Sequence, residues 1–298
     1  MKYEFNSSQD LVGLTKKYKI PISEVAKRFE TERSGKTVST VRNKMKAVRD
    51  ITYEAVKRGV KTSEKTKTGL AGGDAVKVYQ QLKDIKSVTG SKVTLRAMAY
   101  ALAVNEQNAT MGQIVAFPTA GGAGVIPGTL FSAAERFHAG KRKLLRGLFC
   151  ASAIGLVIAE RATLSAAKAG CQAEVGAGAA MAAAGLTEMN GGTPEQCLDA
   201  AAIALKSYLG LVCDPLGGLV EVPCIKRNAI ACMAAIGASD MAIAGVESAI
   251  PFDEVLDAMN DVAKKMSPKL RETALGGLAI TKTGNKIKKK VGMPINGK

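Results

Sequence analysis

The chain has 298 residues, 47% of them apolar, and a formal net charge of +16. That length and apolar content suffice for a substantial buried core and exclude a largely disordered chain. Aromatic residues make up only 4%, Trp is absent and Gly numbers 31, so the core has to be built from small side chains on closely approaching helices.

The charge is unevenly spread. Residues 1–70 carry 17 Lys/Arg against 8 Asp/Glu, residues 263–298 carry 10 against 1, and the centre is left nearly neutral at 15 against 17. Basic ends of this kind fit docking onto an acidic partner protein as well as they fit nucleic acid, and equally fit lysines that only keep the chain soluble. Six cysteines without close C-x-x-C pairs and an N-terminus lacking an apolar h-region point away from secretion and a disulfide scaffold, and toward the cytoplasm. The longest apolar runs, 148–159 and 229–239, fall well short of the roughly 20 residues that span a bilayer. Both are expected to be buried core helices.

In chain order, helical spacing is read over 8–19 and 22–29, with a joint at Pro21, and over 38–58, where Val41, Met45, Val48, Ile51 and Ala55 form one stripe. These three helices superficially resemble a helix-turn-helix, but nothing else in the chain supports a reader of DNA bases. Residues 61–73 form a Lys/Thr/Gly-rich connector, and Asp74 is read as the N-cap of the next helix. Helices follow over 74–82, 94–104, 124–137, 144–168, 173–184, 194–209, 225–245 and 252–266. Strand-like pieces are confined to 113–117 and 219–222, so a doubly wound sheet is set aside and the fold is expected to be all-α. The Lys-rich stretch 286–290 is expected to be a mobile tail.

Two features carry chemistry. The first is a Gly-rich region running from Asn105 through Thr110, Met111 and Gly112 to Thr119, Ala120, Gly121, Gly122 and Gly124. Its glycines permit close backbone approach to a ligand, and the helix start that follows offers N–H groups to a carboxylate or phosphate. A tight helix–helix connection accounts for the same glycines. Pro127 stands where a dinucleotide fingerprint needs its third Gly.

The second is a set of three cysteines, Cys171, Cys213 and Cys224, each bordering a turn or helix end. Spacings of 42 and 11 match no simple zinc or ferredoxin pattern, and free cysteine is often simply buried. Their settings favour chemistry: Cys213 precedes Asp214-Pro215, read as a helix stop, and Cys224 follows Pro223 in a first helical turn, where amides favour a thiolate. Three thiolates hold three corners of an iron–sulfur cluster and leave one iron open. Cys150, Cys197 and Cys232 lie within helical patterns and read as core. Glu174 lies one turn beyond Cys171, Asn228 one turn beyond Cys224, and Lys226 and Arg227 offer positive charge nearby. Glu174 suits a substrate ammonium or a helix cap. His138, the only histidine, reads as an exposed cap near a helix end rather than a base.

The stretches 170–176 (GCQAEVG), 213–228 (CDPLGGLVEVPCIKRN) and 270–279 (LRETALGGLA) strongly resemble the α chain of bacterial iron–sulfur-dependent L-serine dehydratases, and the 105–128 region matches as well. The resemblance implies a helical catalytic domain and a [4Fe-4S] cluster on Cys171, Cys213 and Cys224, without pyridoxal phosphate. It further implies conversion of L-serine to pyruvate and ammonia, and a separate β chain that carries the catalytic base. Substrate contacts are expected from Asn105, Thr110, Met111, Gly112, Thr119, Ala120, Gly121, Gly122 and Glu174. The alternatives are a related L-cysteine desulfidase and a non-catalytic iron–sulfur redox subunit. Neither nucleic acid nor membrane is expected as a partner. The organisation expected is a basic helical segment over 1–70, the catalytic domain over 71–280 and a basic tail over 281–298. The closing residues Met293 to Lys298 contain no cysteine that could cap a cluster.

Overall fold

The computed structural model describes residues 1–292. The closing stretch from Met293, noted above for its lack of cysteine, lies outside the described residues. Among those described there are thirteen α-helices joined by loops and short 3-10 turns, with no strand, so the fold is all-α as expected. The helices are α1 (Ser8–Tyr18), α2 (Ile22–Ser34), α3 (Val38–Gly59), α4 (Asp74–Gln80), α5 (Lys92–Ala109), α6 (Val125–Arg136) and α7 (Lys141–Arg161). They are followed by α8 (Ala166–Ala169), α9 (Val175–Met189), α10 (Pro194–Lys206), α11 (Cys224–Ile243), α12 (Phe252–Lys265) and α13 (Lys282–Lys290).

At the centre stands α9, whose sequence VGAGAAMAAAGLTEM is buried at every position. A helix apolar on all sides has to be wrapped by others, and α6, α7, α10 and α11 surround it. The small residues are what permit the approach. A methyl group on Gly185 would lie 2.6 Å from the Gly147 carbonyl oxygen of α7, so the two helices cross backbone to backbone. Bulk is added by Leu130, Phe131, Leu148, Ile154 and Leu205, all essentially inaccessible. One continuous apolar cluster runs from Tyr3 to Met259, and α1–α3 contribute Leu11, Ile22, Val25, Val41 and Val56 to it.

Helix ends are closed partly by local caps and partly from a distance. The hydroxyls of Thr37 and Ser91 cap α3 and α5, and Thr193 with Gln196 forms a reciprocal capping box on α10. Three other N-termini receive carboxylates from remote helices. Asp253 of α12 accepts the Ser8 N–H at 3.0 Å, Glu188 of α9 accepts the Ser23 N–H at 3.0 Å, and Glu106 of α5 accepts from Gly73, Asp74 and Ala75. The positive end of each helix thereby meets a buried negative charge.

Several elements differ from their sequence reading. Asp74 is not an N-cap: Gly73 holds that position, because Glu106 already supplies the acceptor. The helix read over 144–168 breaks after Arg161 and resumes as α8, because Asn260 takes the Arg161 carbonyl at 2.9 Å. The helix read over 194–209 ends at Lys206, three residues sooner, so Asp214-Pro215 is not its stop. Neither 113–117 nor 219–222 is a strand, and the one bridge among the described residues pairs Cys213 with Arg271. The apolar run in α7 is a core helix, but α11 buries only part of its surface and leaves Ile230 62% exposed. The expected mobile tail 286–290 is the last half of α13, capped by the Thr281 hydroxyl and packed on the turns at Leu216–Gly218 and Gly277–Ile280. No helix among the described residues is long and apolar enough to cross a membrane.

Candidate metal centre and active site

Cys171, Cys213 and Cys224 are all buried, at 1%, 3% and 5% exposure, and lie near enough to one another to act on each other's charge. Cys171 opens a 3-10 turn directly before α9. The turn depends on Gly170, whose φ of 73° lies in the left-handed region and whose Cβ position is 2.8 Å from the Leu211 carbonyl. Gln172 then ties the turn to the Cys213 segment: its N–H reaches the Leu211 carbonyl at 3.2 Å, and its side chain bridges the Met259 carbonyl and the Gly210 N–H.

Cys213 lies in extended chain paired with the closing loop. Its N–H donates to Leu270 at 2.9 Å and its carbonyl accepts from Glu272 at 2.8 Å. Glu272 adopts a left-handed φ of 63°, rare for a residue with a side chain. Cys224 is the first residue of α11, so it faces the positive end of a 20-residue helix.

Charge around the thiols is organised by Arg227. Its guanidinium pairs with Asp214 at 2.9 Å and donates to the Val212 carbonyl at 2.9 Å. The other oxygen of Asp214 accepts the Leu278 N–H at 2.7 Å. A Cβ on Gly277 would collide with that carboxylate. The neighbouring Cys213 thiol and the Arg227 guanidinium hold Cys171 below the usual thiol range despite its burial. The proximity of Cys171, with burial, pushes Cys213 well up, and burial together with charge on Cys171 pushes Cys224 up to about 12.

Burial and mutual proximity disfavour ionising all three thiols together, and the positive charge of a metal group would relieve this. Among the described residues no three His, Cys, Asp or Glu side chains converge to hold a single metal ion. A cluster bound through one thiolate per iron does not require its sulfurs to meet at one point. Cys171, Cys213 and Cys224 are the side chains that could each offer one thiolate to such a group.

The Gly-rich loop 117–124 lies beside these cysteines. Asn228, one turn into α11 and fully buried, clamps it: Oδ1 accepts the Gly124 N–H at 3.0 Å, while Nδ2 donates to the carbonyls of Gly121 at 2.7 Å and Cys224 at 3.0 Å. Glu174 lies under the loop, so that a Cβ on Gly121 would be 2.5 Å from its Oε2 and one on Gly122 would be 2.8 Å from its backbone oxygen. Burial raises the Glu174 carboxyl above its ordinary range, the nearby Glu272 adds to this and the Thr119 hydroxyl opposes it. The N–H groups of Gly122, Ala123, Gly124 and Val125 are already bonded within the loop or to Asn228. Those of Ala120 and Gly121 have no partner among the described residues.

The remaining predicted residues are placed differently. Asn105, one helical turn beyond the Ala101 carbonyl that underlies Gly124, is 2% exposed with its Oδ1 unpaired. Thr110, Met111 and Gly112 end α5: the Thr110 hydroxyl returns to the Glu106 carbonyl, Gly112 returns to Gln107, and Met111 is 87% exposed. None of the three bonds to the cysteine segments. His138 is exposed, with φ 45°, and lines a separate cleft of about 870 Å³ beside Arg49, Tyr53, Arg96 and Glu135. Cys150, Cys197 and Cys232 are fully buried within α7, α10 and α11. Asp214 and Glu272 were not singled out as site residues in the sequence. Their only signal was their place in the stretches 213–228 and 270–279.

An all-helical chain, over the described residues, with three neighbouring buried cysteines beside a Gly-rich loop is what the fold and site define. Residues 17–279 match the serine dehydratase alpha chain family, and the chain belongs to that family. It is 47% identical over 287 residues to the probable L-serine dehydratase alpha chain of Bacillus subtilis (strain 168), covering 96% of this chain and 95% of that one. It is 41% identical over 284 residues to the L-serine dehydratase alpha chain of Peptoniphilus asaccharolyticus, covering 95% and 97%. An L-serine dehydratase of Mycobacterium tuberculosis is 40% identical over 281 residues, which make up 92% of this chain and 60% of that protein.

Proposed function

We propose that this chain is the α subunit of an L-serine dehydratase, that Cys171, Cys213 and Cys224 hold three irons of a [4Fe-4S] cluster, and that a β chain completes the site. The observation that supports the reading is the mutual approach of three buried cysteines beside the Arg227–Asp214 pair. When bound, such a cluster supplies a Lewis acid for departure of a substrate hydroxyl.

The chain's own groups hold the substrate. The amides of Ala120 and Gly121 receive the carboxylate of L-serine, and Glu174, steadied by Thr119, faces its ammonium. Asn228 keeps the loop at a fixed distance from the first turn of α11. Loss of the α-proton and the β-hydroxyl gives water and aminoacrylate, which hydrolyses to pyruvate and ammonia. His138 lines a different cleft, so the proton acceptor is assigned to the β chain. The alpha-chain names of the relatives support that partner. Anaerobic assay of the chain with its β partner tests the reading: pyruvate from L-serine without pyridoxal phosphate supports it, and preferential release of sulfide from L-cysteine replaces it with the desulfidase.

A further inference from the structure

The connector 61–73 is a folded element. Its Thr66 N–H bonds to the Ala71 carbonyl at 3.1 Å and its Gly69 N–H to the Thr66 carbonyl at 2.8 Å. The Thr66 and Thr68 hydroxyls accept the N–H groups of Ala71 and Leu70. Lys65 Nζ reaches across to the Gly72 carbonyl at 2.6 Å. Gly72 has φ 107° and leaves no room for a Cβ against the Glu64 carbonyl, so the turn tolerates no other residue there.

Both threonine hydroxyls then converge on one carboxylate. Thr66 donates to Glu221 Oε2 at 2.7 Å and Thr68 to the same oxygen at 2.9 Å. Glu221 is 8% exposed and Thr66 5%, so the carboxylate is withdrawn from water and relies on these donors. Glu221 lies three residues before Cys224, in the segment that joins Cys213 to α11. At its far end the connector is fixed again: the N–H groups of Gly73, Asp74 and Ala75 donate to Glu106, and the Asp74 carboxylate pairs with Lys226 at 3.1 Å. Glu106 adjoins Asn105 on α5.

We infer that residues 61–74 form a strap that latches onto Glu221, and that Glu221 is a positioning residue which holds the Cys224 loop against α5. Nothing in the reaction needs this carboxylate directly. Its partners are two neutral hydroxyls of a preformed turn, and its neighbours in sequence are the ones that present a cysteine to the site. The strap thus couples the end of α3 to the metal-binding loop, and loosening it frees Cys224 without touching a ligand. The consequence for the metal rests on the assignment of Cys224 as a cluster ligand; the attachment of the strap does not.

The test uses the full chain with Thr66→Val and Thr68→Val combined, against Thr66→Ser and Thr68→Ser combined, which retain the hydroxyls. Trypsin reads the strap at the exposed Lys61, Lys65 and Lys67. Loss of two charge-assisted bonds speeds cleavage there by roughly tenfold or more, while the serine pair is cleaved at the wild-type rate. In the cluster-loaded, β-complexed enzyme the valine pair also loses iron to a chelator several-fold faster. If the valine pair does not melt cooperatively, Glu221→Gln, which keeps the volume and one acceptor, takes its place. Unchanged strap cleavage overturns the latch, and faster cleavage with unchanged iron release overturns the positioning role. A wild-type chain that takes up no cluster removes the cysteine assignment instead, and the trypsin comparison still decides whether the strap is latched.

Discussion

Gly121→Ala separates the substrate site from the fold more cleanly than any cysteine variant. The new methyl would lie 2.5 Å from Glu174 Oε2 and 3.3 Å from Oε1, whereas ordinary contact begins near ~3.5 Å. The carboxylate therefore retreats by on the order of 1 Å, and a displacement of that size at a positioning group costs up to about 100-fold in rate. We expect kcat/KM for L-serine to fall ~10- to 100-fold, about 1.4–2.8 kcal/mol, with most of the change in KM. Stability should stay within about 1 kcal/mol of wild type, because a flexible side-chain end yields and Ala narrows the unfolded ensemble. Gly122→Ala is the contrast: its methyl meets the Glu174 backbone oxygen at 2.8 Å, which cannot yield, so it should cost about 1–3 kcal/mol of stability. The assay is pyruvate formation under anaerobic conditions with the β chain, alongside iron content and melting temperature. Wild-type kinetics in Gly121→Ala would refute the placement of Glu174 at the substrate.

Three further outcomes are expected. Cys171→Ala, Cys213→Ala and Cys224→Ala should each abolish cluster uptake, while Cys197→Ala, equally buried in α10, keeps full iron content at a cost of about 1–2 kcal/mol; iron analysis and the visible spectrum decide it. Arg227→Met strands the buried Asp214 carboxylate and should cost about 3 kcal/mol, a melting temperature lower by roughly 5–10 °C; an unchanged melt contradicts the pairing. Burial raises the Glu188 carboxyl above its ordinary value of 4.5, with the Ser23 bonds and Arg146 opposing. The folded state then holds its proton more tightly than the unfolded chain, so Glu188 makes stability fall as pH rises from 4.5 through the raised folded value. Glu188→Gln should flatten urea midpoints over that window, and a parallel decline in both proteins would refute the assignment.

Helices were legible where the pattern was local. The stripe through Val41, Met45 and Val48 and the small-residue run of α9 marked helices that exist. Helix ends were legible less evenly: the break after Arg161 was not. The starts of α1, α2 and α4 were read where they fall, although the carboxylates that meet them, Asp253, Glu188 and Glu106, lie 245, 165 and 33 residues away in sequence and left no local sign. The stretch 286–290 looked like a tail because its lysines hide an amphipathic helix in which even Lys288 is 6% exposed. At the site, the turn settings of Cys171, Cys213 and Cys224 were readable, and their mutual approach was not. Asp214 read as a helix stop beside a proline, whereas its carboxylate joins Arg227 to the closing loop. The Thr66–Thr68–Glu221 latch left no pattern at all, because it spans 155 residues of chain.

The cluster is the central claim, and anaerobic iron and sulfide determination on the purified chain, with the electronic spectrum recorded before and after L-serine, tests it most directly. The account predicts about four irons and four sulfides per chain, with a spectrum that changes on addition of L-serine. A reconstituted chain that holds no iron, with Cys171, Cys213 and Cys224 all titrating as free thiols after unfolding, would contradict it.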